Sequence, residues 1–412
     1  MYKSIWLFCS CCLLFIAIGC KNNASQSKYE DFAKEIESHI QKGDPSFFND
    51  HFEFDAIIDD IVASVGTPED HEKSFRNNIK QELNVGATFM SMMGKDGLGS
   101  IKFLRLRNFP DKPTALFRFA SSEGLNYMEA YLKNTRDGIK ISDFYVYQGG
   151  LSFAPTLRRL YYTPLVDSIQ LLDLSKTPAA DKAYIGNFAT IDSITAMAQA
   201  QQFEEALALY KKMPNVLQED KMLQVMKINL AAASKDESAY QQAVDGYQKI
   251  YPDDPALVYM QMQHALAKRD TNAIFPAIEK MDKTLGGDNY LKVILSDVYY
   301  EFKQPEKAAT LLREVIKQEP NLQDAYLRIS GLLIDMGKYD EAVDYFAPIK
   351  EKFGYNPANF LPTNEYQEFW ASEAYKKWEQ ENPLDTTYSN MPLDTEVEGL
   401  YDPHNEEQKH DH

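Results

Sequence analysis

A pattern of small residues that recurs between residues 289 and 357 constrains the fold more than any other feature of the chain. Ser296 in the first copy is followed by Ala308, and Ser330 in the second copy is followed by Ala342. The two alanines are 34 positions apart (342 − 308). Small residues at fixed intervals let neighbouring helices approach closely, so each copy predicts two helices joined by a tight turn.

This period and pattern resemble those of the tetratricopeptide repeat. The resemblance implies a stack of helical hairpins that binds protein partners and leaves catalysis to other molecules. Because one hairpin cannot bury its own apolar face, about three or more copies must stack before the array is stable. Further alanines reproduce the key position upstream and bring the predicted total to about five hairpins: Ala206, Ala243 and Ala273.

The region before the repeats predicts a different architecture. Helical periodicity covers residues 29–41, 52–65 and 67–93, and the period then changes to two. Strands are predicted over residues 101–109, 114–120, 125–135 and 139–147, with a hairpin turn at Asp137-Gly138. The predicted fold class is therefore an α+β N-terminal domain, with helices and a curved antiparallel sheet, followed by an all-α tetratricopeptide solenoid.

The first twenty residues combine Lys3 with an apolar run that ends in Ala17-Ile18-Gly19-Cys20, as is typical of a secretory signal. This ending resembles the lipobox of bacterial lipoproteins, in which the cysteine is acylated and becomes the first residue. The resemblance implies a membrane anchor at Cys20, because each buried methylene contributes about 0.8 kcal/mol. By the same analogy, Lys21 implies an outer membrane, with the chain facing the periplasm. The alternative is a plain transmembrane anchor, for which the run is short of the ~20 residues that span a bilayer.

Changes in composition divide the chain into seven segments. A polar stretch after the cysteine reads as a tether, and an acidic C-terminal stretch without hydrophobic periodicity is predicted to be disordered. The predicted segments are a signal peptide (1–19), a tether (20–28), the α+β domain (29–150), a helical connector (151–178), the repeats (179–357), a capping helix (358–380) and the acidic tail (381–412).

Composition also excludes several functions. The net charge of −18 argues against a nucleic-acid ligand. All four cysteines lie within the first twenty residues, so the chain after Cys20 offers no internal disulfide, cysteine nucleophile or structural zinc site. Phosphate-loop, serine-hydrolase and zinc-protease motifs are absent from the sequence. We therefore expect no enzymatic activity, no cofactor and no metal.

The predicted binding surface is the inward face of the first helix of each repeat. In tetratricopeptide proteins this face lines a groove that takes peptides or a partner's helix. A face that mixes tyrosine, aliphatic and acidic side chains suits an extended or basic segment of another envelope protein. In the alternative interpretation these residues pack against the next repeat, and Gly331 in the same row adds little. The predicted groove residues are Tyr290, Val293, Asp297, Tyr300, Asp324, Leu327 and Ile334.

A second candidate site lies in the α+β domain, where the last two strands resemble the closing strands of the cystatin-like, nuclear transport factor-like cone. Strict alternation puts Tyr127 and Glu129 on one face of the third strand, and Ile141, Asp143 and Tyr145 on one face of the fourth. If these faces turn inward, the two acids are suited to acid–base chemistry. In the other interpretation the tyrosine face packs on a helix, with both acids at its rim.

Taken together, these patterns predict a membrane-anchored envelope lipoprotein that acts as a non-catalytic scaffold through its repeats. The alternative function is a small-molecule-binding or enzymatic cone with the repeats as an accessory. A closed, apolar pocket that contains Glu129 or Asp143 favours the alternative. An open groove along the repeats favours the scaffold.

The lipobox makes a direct prediction. Cys20→Ser removes the thiol that accepts the acyl group, so the chain should leave the membrane fraction. Fractionation of cells that express the wild-type or the variant chain, with a high-salt wash to remove electrostatic attachment, measures this. An unchanged membrane fraction for the variant contradicts the anchor.

Overall fold

The computed structural model of the protein describes residues 26–64, 67, 69–94, 99–121, 124–165, 174–175, 177–354 and 365–382. The predicted signal peptide with Cys20 and the predicted acidic tail after residue 382 lie outside these residues. The chain forms two compact units, the first ending at Met260 and the second beginning at Gln261. No helix in the described part of the chain is long and apolar enough to span a bilayer.

Five helices open the first unit, and a polar cap separates the last two. The prediction of a single helix over residues 67–93 is wrong, because one helix ends at Glu82 and a new helix begins after Asn84. The Asn84 side chain accepts the backbone N–H of Ala87, which satisfies one of the unpaired donors at that helix start. The five helices are α1 (residues 26–41), α2 (Ser46–His51), α3 (Phe54–Ala63), α4 (Glu69–Glu82) and α5 (Val85–Ser91).

A five-stranded antiparallel sheet follows, with its strands in chain order. The four long strands lie within two residues of the predicted bounds, and the α+β fold class is confirmed. Thr135 pairs with Gly138 across the predicted hairpin turn. The strands are β1 (Ser100–Arg107), β2 (Thr114–Ser121), β3 (Gly124–Thr135), β4 (Gly138–Val146) and β5 (Leu151–Ser152).

Other parts of the first unit cover both faces of this sheet. On one face, Phe144 packs against Phe89, with ring centroids 4.7 Å apart, and against Phe48. On the opposite face, Tyr127 is fully buried and lies beside Tyr259, whose hydroxyl donates to a backbone carbonyl of β3. All residues of β2 except the last are buried, as expected for a strand that packs on both sides.

A bulge in β4 changes which residues share a face. Tyr131 pairs with Asp143, but the next residue, Leu132, pairs with Ile141, so Ser142 is an extra residue. Strict alternation placed Ile141 beside Asp143, and this prediction is wrong because the bulge shifts the register by one. Ile141 therefore lies on the phenylalanine face, and Asp143 stays on the tyrosine face.

The rest of the described chain is helical and is dominated by hairpins. A connecting helix, α6 (Phe153–Tyr162), and a second helix, α7 (Ala179–Gly186), precede them. The hairpins pair α8 (Phe188–Gln199) with α9 (Phe203–Tyr210), α11 (Lys221–Ala233) with α12 (Glu237–Ile250), and α13 (Pro255–Ala267) with α14 (Thr271–Leu285), and a short helix, α10 (Asn215–Gln218), follows the first. Two more pair α15 (Asn289–Glu301) with α16 (Pro305–Gln318), and α17 (Gln323–Asp335) with α18 (Tyr339–Val343) and α19 (Phe346–Phe353).

The turn inside each hairpin contains one residue in the left-handed backbone region. These five residues follow one another at intervals of 34 positions and are Gln201, Lys235, Arg269, Lys303 and Gly337. Four of the five are not glycine, although a side chain makes this conformation costly. The recurrence shows that the helical hairpin occurs five times, with a constant number of residues between turns.

Two short helices close the second unit after the last hairpin: α20 (Gln367–Trp370) and α21 (Glu373–Glu381). They lie in the region where the sequence predicts a capping helix. Trp378 stacks edge-on against Phe346, with ring centroids 5.1 Å apart, and Phe369 contacts the same ring at 5.9 Å. These aromatic contacts cover the apolar face that the last hairpin leaves open.

The turns generate a stability prediction. Lys303 is exposed and has a φ of 58°, so Lys303→Gly removes a steric cost and should stabilise the second unit by about 0.5–1 kcal/mol. Lys307→Gly, in the first turn of α16, should destabilise it by up to about 1 kcal/mol. Urea unfolding followed by the fluorescence of Trp370 and Trp378, both in the second unit, measures the two effects. Destabilisation by Lys303→Gly contradicts the argument.

Candidate functional site

In the second unit, α15 and α17 are the first helices of two neighbouring repeats and lie side by side. A cavity of about 170 Å³, open to solvent, lies between them. α15 contributes Ser296, Asp297 and Tyr300 to its wall. α17 contributes Arg328, Gly331 and Asp335, and the ring of Tyr366 closes one side.

Three polar contacts hold the two helices together along this surface. The Tyr290 hydroxyl donates to a carboxylate oxygen of Asp324. Arg328 Nη1 lies 2.5 Å from Asp297 Oδ2 and forms an ion pair with it. The Tyr300 hydroxyl donates to Asp335 Oδ2 over 2.8 Å. Each contact joins residues about one repeat apart in the chain, as expected for equivalent positions of adjacent repeats.

The predicted groove residues differ in their surroundings. Asp297 and Tyr300 line the cavity, and Tyr300 is 42% exposed. Tyr290 and Asp324 bond to each other beside it. Leu327 is half-buried and lies outside the cavity wall. Three of the predicted residues are buried and expose almost no surface to a partner: Tyr290, Val293 and Ile334.

The cavity wall also contains residues that are not among the predicted groove residues, including Arg328, Gly331, Asp335 and Tyr366. The signal for Asp335 was its place 35 positions after Tyr300, close to the repeat period. Gly331 is on the predicted face of α17 and is expected to add little to binding, yet it lies in the cavity wall. Tyr366 comes from a segment beyond the repeats, so no repeat pattern could have indicated it.

Gly331 leaves a gap in the middle of a helix. Apart from its two chain neighbours and the adjacent backbone of its own helix, no atom lies within 4 Å of the place where its Cβ would be, and its φ is not among the positive values that favour glycine. Neither close packing nor backbone conformation therefore explains a glycine here. Glycine in a helix interior costs about 0.5–1 kcal/mol relative to alanine. The gap that it leaves opens directly into the cavity.

The electrostatics of the cavity favour positive charge. The pKa of Asp297 is raised to about 6, mainly by burial and also by the nearby carboxylates of Glu301 and Asp324, against the opposing effect of Arg328. Burial, with the carboxylate of Asp335 beside it, raises the pKa of Tyr300 to about 12. One guanidinium thus does not fully balance the acidic groups around it.

The second candidate site, on the tyrosine face of the sheet, is arranged differently from the prediction. Tyr127 is buried in the packing of the sheet. The Asp143 carboxylate accepts the backbone N–H of Phe144 in β4 at 2.8 Å and that of Ala154, at the start of α6, at 3.1 Å. Burial raises the pKa of Asp143, and these backbone bonds oppose the effect. Asp143 thus caps a helix and is occupied by backbone donors.

Glu129 and Tyr145 do line a cavity, of about 340 Å³, which is open and polar. Glu129 Oε1 accepts from Arg107 Nη1 at 2.9 Å and from the Tyr147 hydroxyl at 2.8 Å. The opposite wall is the connection between α12 and α13, so this space is bounded by the link between two repeat hairpins and does not lie inside a closed cone.

The floor of this cavity is a buried carboxylate, Asp254, with four donors. The hydroxyl groups of Tyr145 and Tyr247 donate to it over 2.5 and 2.6 Å, and Lys221 Nζ lies 2.5 Å away. The backbone N–H of Ala256 donates at 3.0 Å, which makes Asp254 the cap of α13. This network joins the sheet to three helices of the first unit.

Comparison with known proteins gives one family match and several structural similarities. Residues 299–356 match the family described as tetratricopeptide repeat, which supports the predicted repeats in this part of the chain. No curated protein matches the chain.

Among solved structures, the MamA protein is 16% identical over 43% of this chain and 96% of its own, with a TM-score of 0.32. YrrB, described as a tetratricopeptide protein with an unusual peptide-binding site, is 18% identical over 42% and 87%, with a TM-score of 0.30. PilF of Pseudomonas aeruginosa is 12% identical over 52% and 96%, with a TM-score of 0.32. These similarities do not assign a function to the chain.

The Asp254 network makes a prediction with a matched control. Asp254→Ala leaves two buried hydroxyls and an ammonium group without their acceptor and should destabilise the first unit by about 3 kcal/mol. Amide hydrogen exchange in β4 should then speed up about a hundredfold. Asp253→Ala changes the exposed neighbour and should alter stability by less than about 0.5 kcal/mol. Equal effects of the two substitutions contradict the network's role.

Proposed function

We propose that this chain is a lipid-anchored scaffold of the bacterial cell envelope that binds another protein in the cavity between α15 and α17. The observation that carries the proposal is Gly331, which keeps the middle of that cavity empty at a cost to its own helix. A helix that served packing alone would gain from a side chain at this position.

The surroundings of the cavity support a binding role. Tyr300 and Tyr366 present aromatic surface, and aromatic side chains give a large contact area for little lost conformational entropy. The contacts between α15 and α17 described above hold both walls in place before a partner arrives, which lowers the entropic cost of binding. The interaction partner would be another envelope protein or a segment of one.

Attachment to the membrane is the second part of the proposal and rests on the sequence that ends at Cys20. Acyl chains on that cysteine would hold the chain on the outer membrane, and the polar residues after it would connect the anchor to the folded part. A scaffold at a membrane surface meets envelope partners in two dimensions, which raises their effective concentration.

The scaffold is proposed as non-catalytic, and the first unit supports this over the alternative of an enzymatic cone. The cavity at Glu129 is open, whereas the alternative calls for a closed, apolar one. Asp143, the other candidate acid, accepts the backbone N–H of Phe144 in β4 and that of Ala154 at the start of α6. The two acids therefore have separate partners and do not form an acid–base pair.

The proposal predicts that filling the cavity weakens binding without damage to the fold. Gly331→Met places a side chain in the empty space and should lower capture of the partner by about tenfold or more, equivalent to about 1.4 kcal/mol. Affinity capture from detergent-solubilised envelopes, quantified protein by protein, compares the variant with the wild-type chain.

Two further variants control this experiment. Gly246→Met changes another half-buried helical glycine, in α12, and should leave capture unchanged. Gly331→Ala should raise the stability of the second unit by about 0.5–1 kcal/mol, which shows that the position tolerates a side chain. Capture that is the same for wild type and Gly331→Met removes the cavity from the function.

A further inference from the structure

The charges around the cavity between α15 and α17 identify what it can accept. Asp297 and Asp335 lie in its wall, and Asp324 and Glu301 are close enough to act on Asp297. Arg328 is the cationic group in the wall. The wall thus carries two carboxylates against one guanidinium, and two further carboxylates act on Asp297, in a partly buried space where charges interact more strongly than in water.

We propose that this cavity is a receptor for one lysine or arginine side chain of the bound protein. The inference rests on the function proposed above and adds the chemical class of the partner's contact residue. The incoming cation would lie over Gly331, between the carboxylates of Asp297 and Asp335.

The hydrogen bonds already present leave room for such a cation. Arg328 Nη1 bonds to Oδ2 of Asp297, while a carboxylate has two oxygens and about four acceptor positions. Asp335 is exposed, and the Tyr300 hydroxyl donates to its Oδ2. Both carboxylates therefore keep acceptor capacity for an ammonium or guanidinium group, which brings several N–H donors.

The aromatic walls add to this preference. Tyr300 and Tyr366 both interact with Asp335, and these contacts fix the rings at the edge of the cavity. A cation near the face of an aromatic ring gains about 0.5–1 kcal/mol at an exposed site and about 2 kcal/mol when it is desolvated. Carboxylates and tyrosine rings thus favour the same kind of ligand.

Size and composition exclude other ligands. The cavity of about 170 Å³ has room for one long side chain. An anionic group would meet the excess of carboxylates. Within the described part of the chain, no cluster of three or more acidic, histidine or cysteine side chains is placed to hold a metal ion.

The test uses the mature chain and a library of random linear peptides displayed on phage. Peptides selected on the wild-type chain should be enriched in lysine or arginine. A selected peptide, synthesised with its central basic residue changed to glutamine, should bind about tenfold more weakly in fluorescence anisotropy. Binding should also weaken as salt concentration rises.

Variants of the chain separate the cavity from the general negative charge of the protein. Asp335→Asn keeps an oxygen that can accept the Tyr300 hydroxyl and removes one charge, so it should weaken the basic peptide about tenfold. Asp340→Asn removes one charge from an exposed position of α18 and should change binding less than twofold. Gly331→Met should abolish binding, and Gly246→Met should not.

The possible outcomes distinguish this inference from the proposed function. If the selected peptides are neutral or acidic and Gly331→Met abolishes their binding, the cavity binds proteins but the cation receptor is wrong. If Asp335→Asn and Asp340→Asn weaken a basic peptide equally, the attraction is to net charge and the inference is also wrong. If no selected peptide responds to Gly331→Met, both the inference and the proposed function fail.

Discussion

The constant spacing of the hairpin turns is the constraint on which the rest of the helical region depends. One residue in the left-handed conformation ends the first helix of every repeat, and these residues recur every 34 positions from Gln201 to Gly337. A fixed length between turns places the first helices of neighbouring repeats in equivalent positions. The contacts between α15 and α17, such as Tyr290 with Asp324 and Tyr300 with Asp335, follow from that equivalence. The cavity is a consequence of this geometry, and its chemistry comes from the residues that the period brings together.

The first unit uses buried polar groups to solve a different problem. Its sheet is covered on both faces, so polar side chains on the tyrosine face must find partners inside the protein. Asp254 collects donors from β4, α11 and α12 and also caps α13, and Asp143 caps α6. In the connector, Arg159 bonds to both Asp181 (2.8 Å) and Asp220 (2.5 Å). Removing one partner from such a network is costly because it leaves an unpaired buried group. These carboxylates therefore stabilise the positions of the helices on the sheet.

Local patterns in the sequence were sufficient for the fold class and for most strand bounds, but not for details that depend on packing. The third repeat shows why. Its assumed key alanine, Ala273, is half-buried, whereas Ile274 is buried and stands 34 positions before Ala308 (308 − 274). Four of the five turn residues are not glycine, so composition gave no sign of their left-handed backbone. The bulge at Ser142 likewise has no distinct sequence signal, although it decides which side chains share a face with Asp143. Gly331 was visible in the sequence, but its importance depends on an empty space that sequence patterns do not report.

The raised pKa of Asp297 connects the cavity to the stability of the second unit. Its value of about 6 in the folded chain lies above the value of about 3.9 expected in an unfolded chain. Between these values the folded chain binds more protons than the unfolded chain. The stability that this group contributes is therefore fully present below about pH 4 and is lost as the pH rises through about 6. At neutral pH the cavity thus holds an ionised carboxylate that costs stability, and Arg328 offsets this cost in part. A cationic side chain that enters the cavity supplies further compensation, so the same burial that weakens the empty site strengthens its interaction with the ligand.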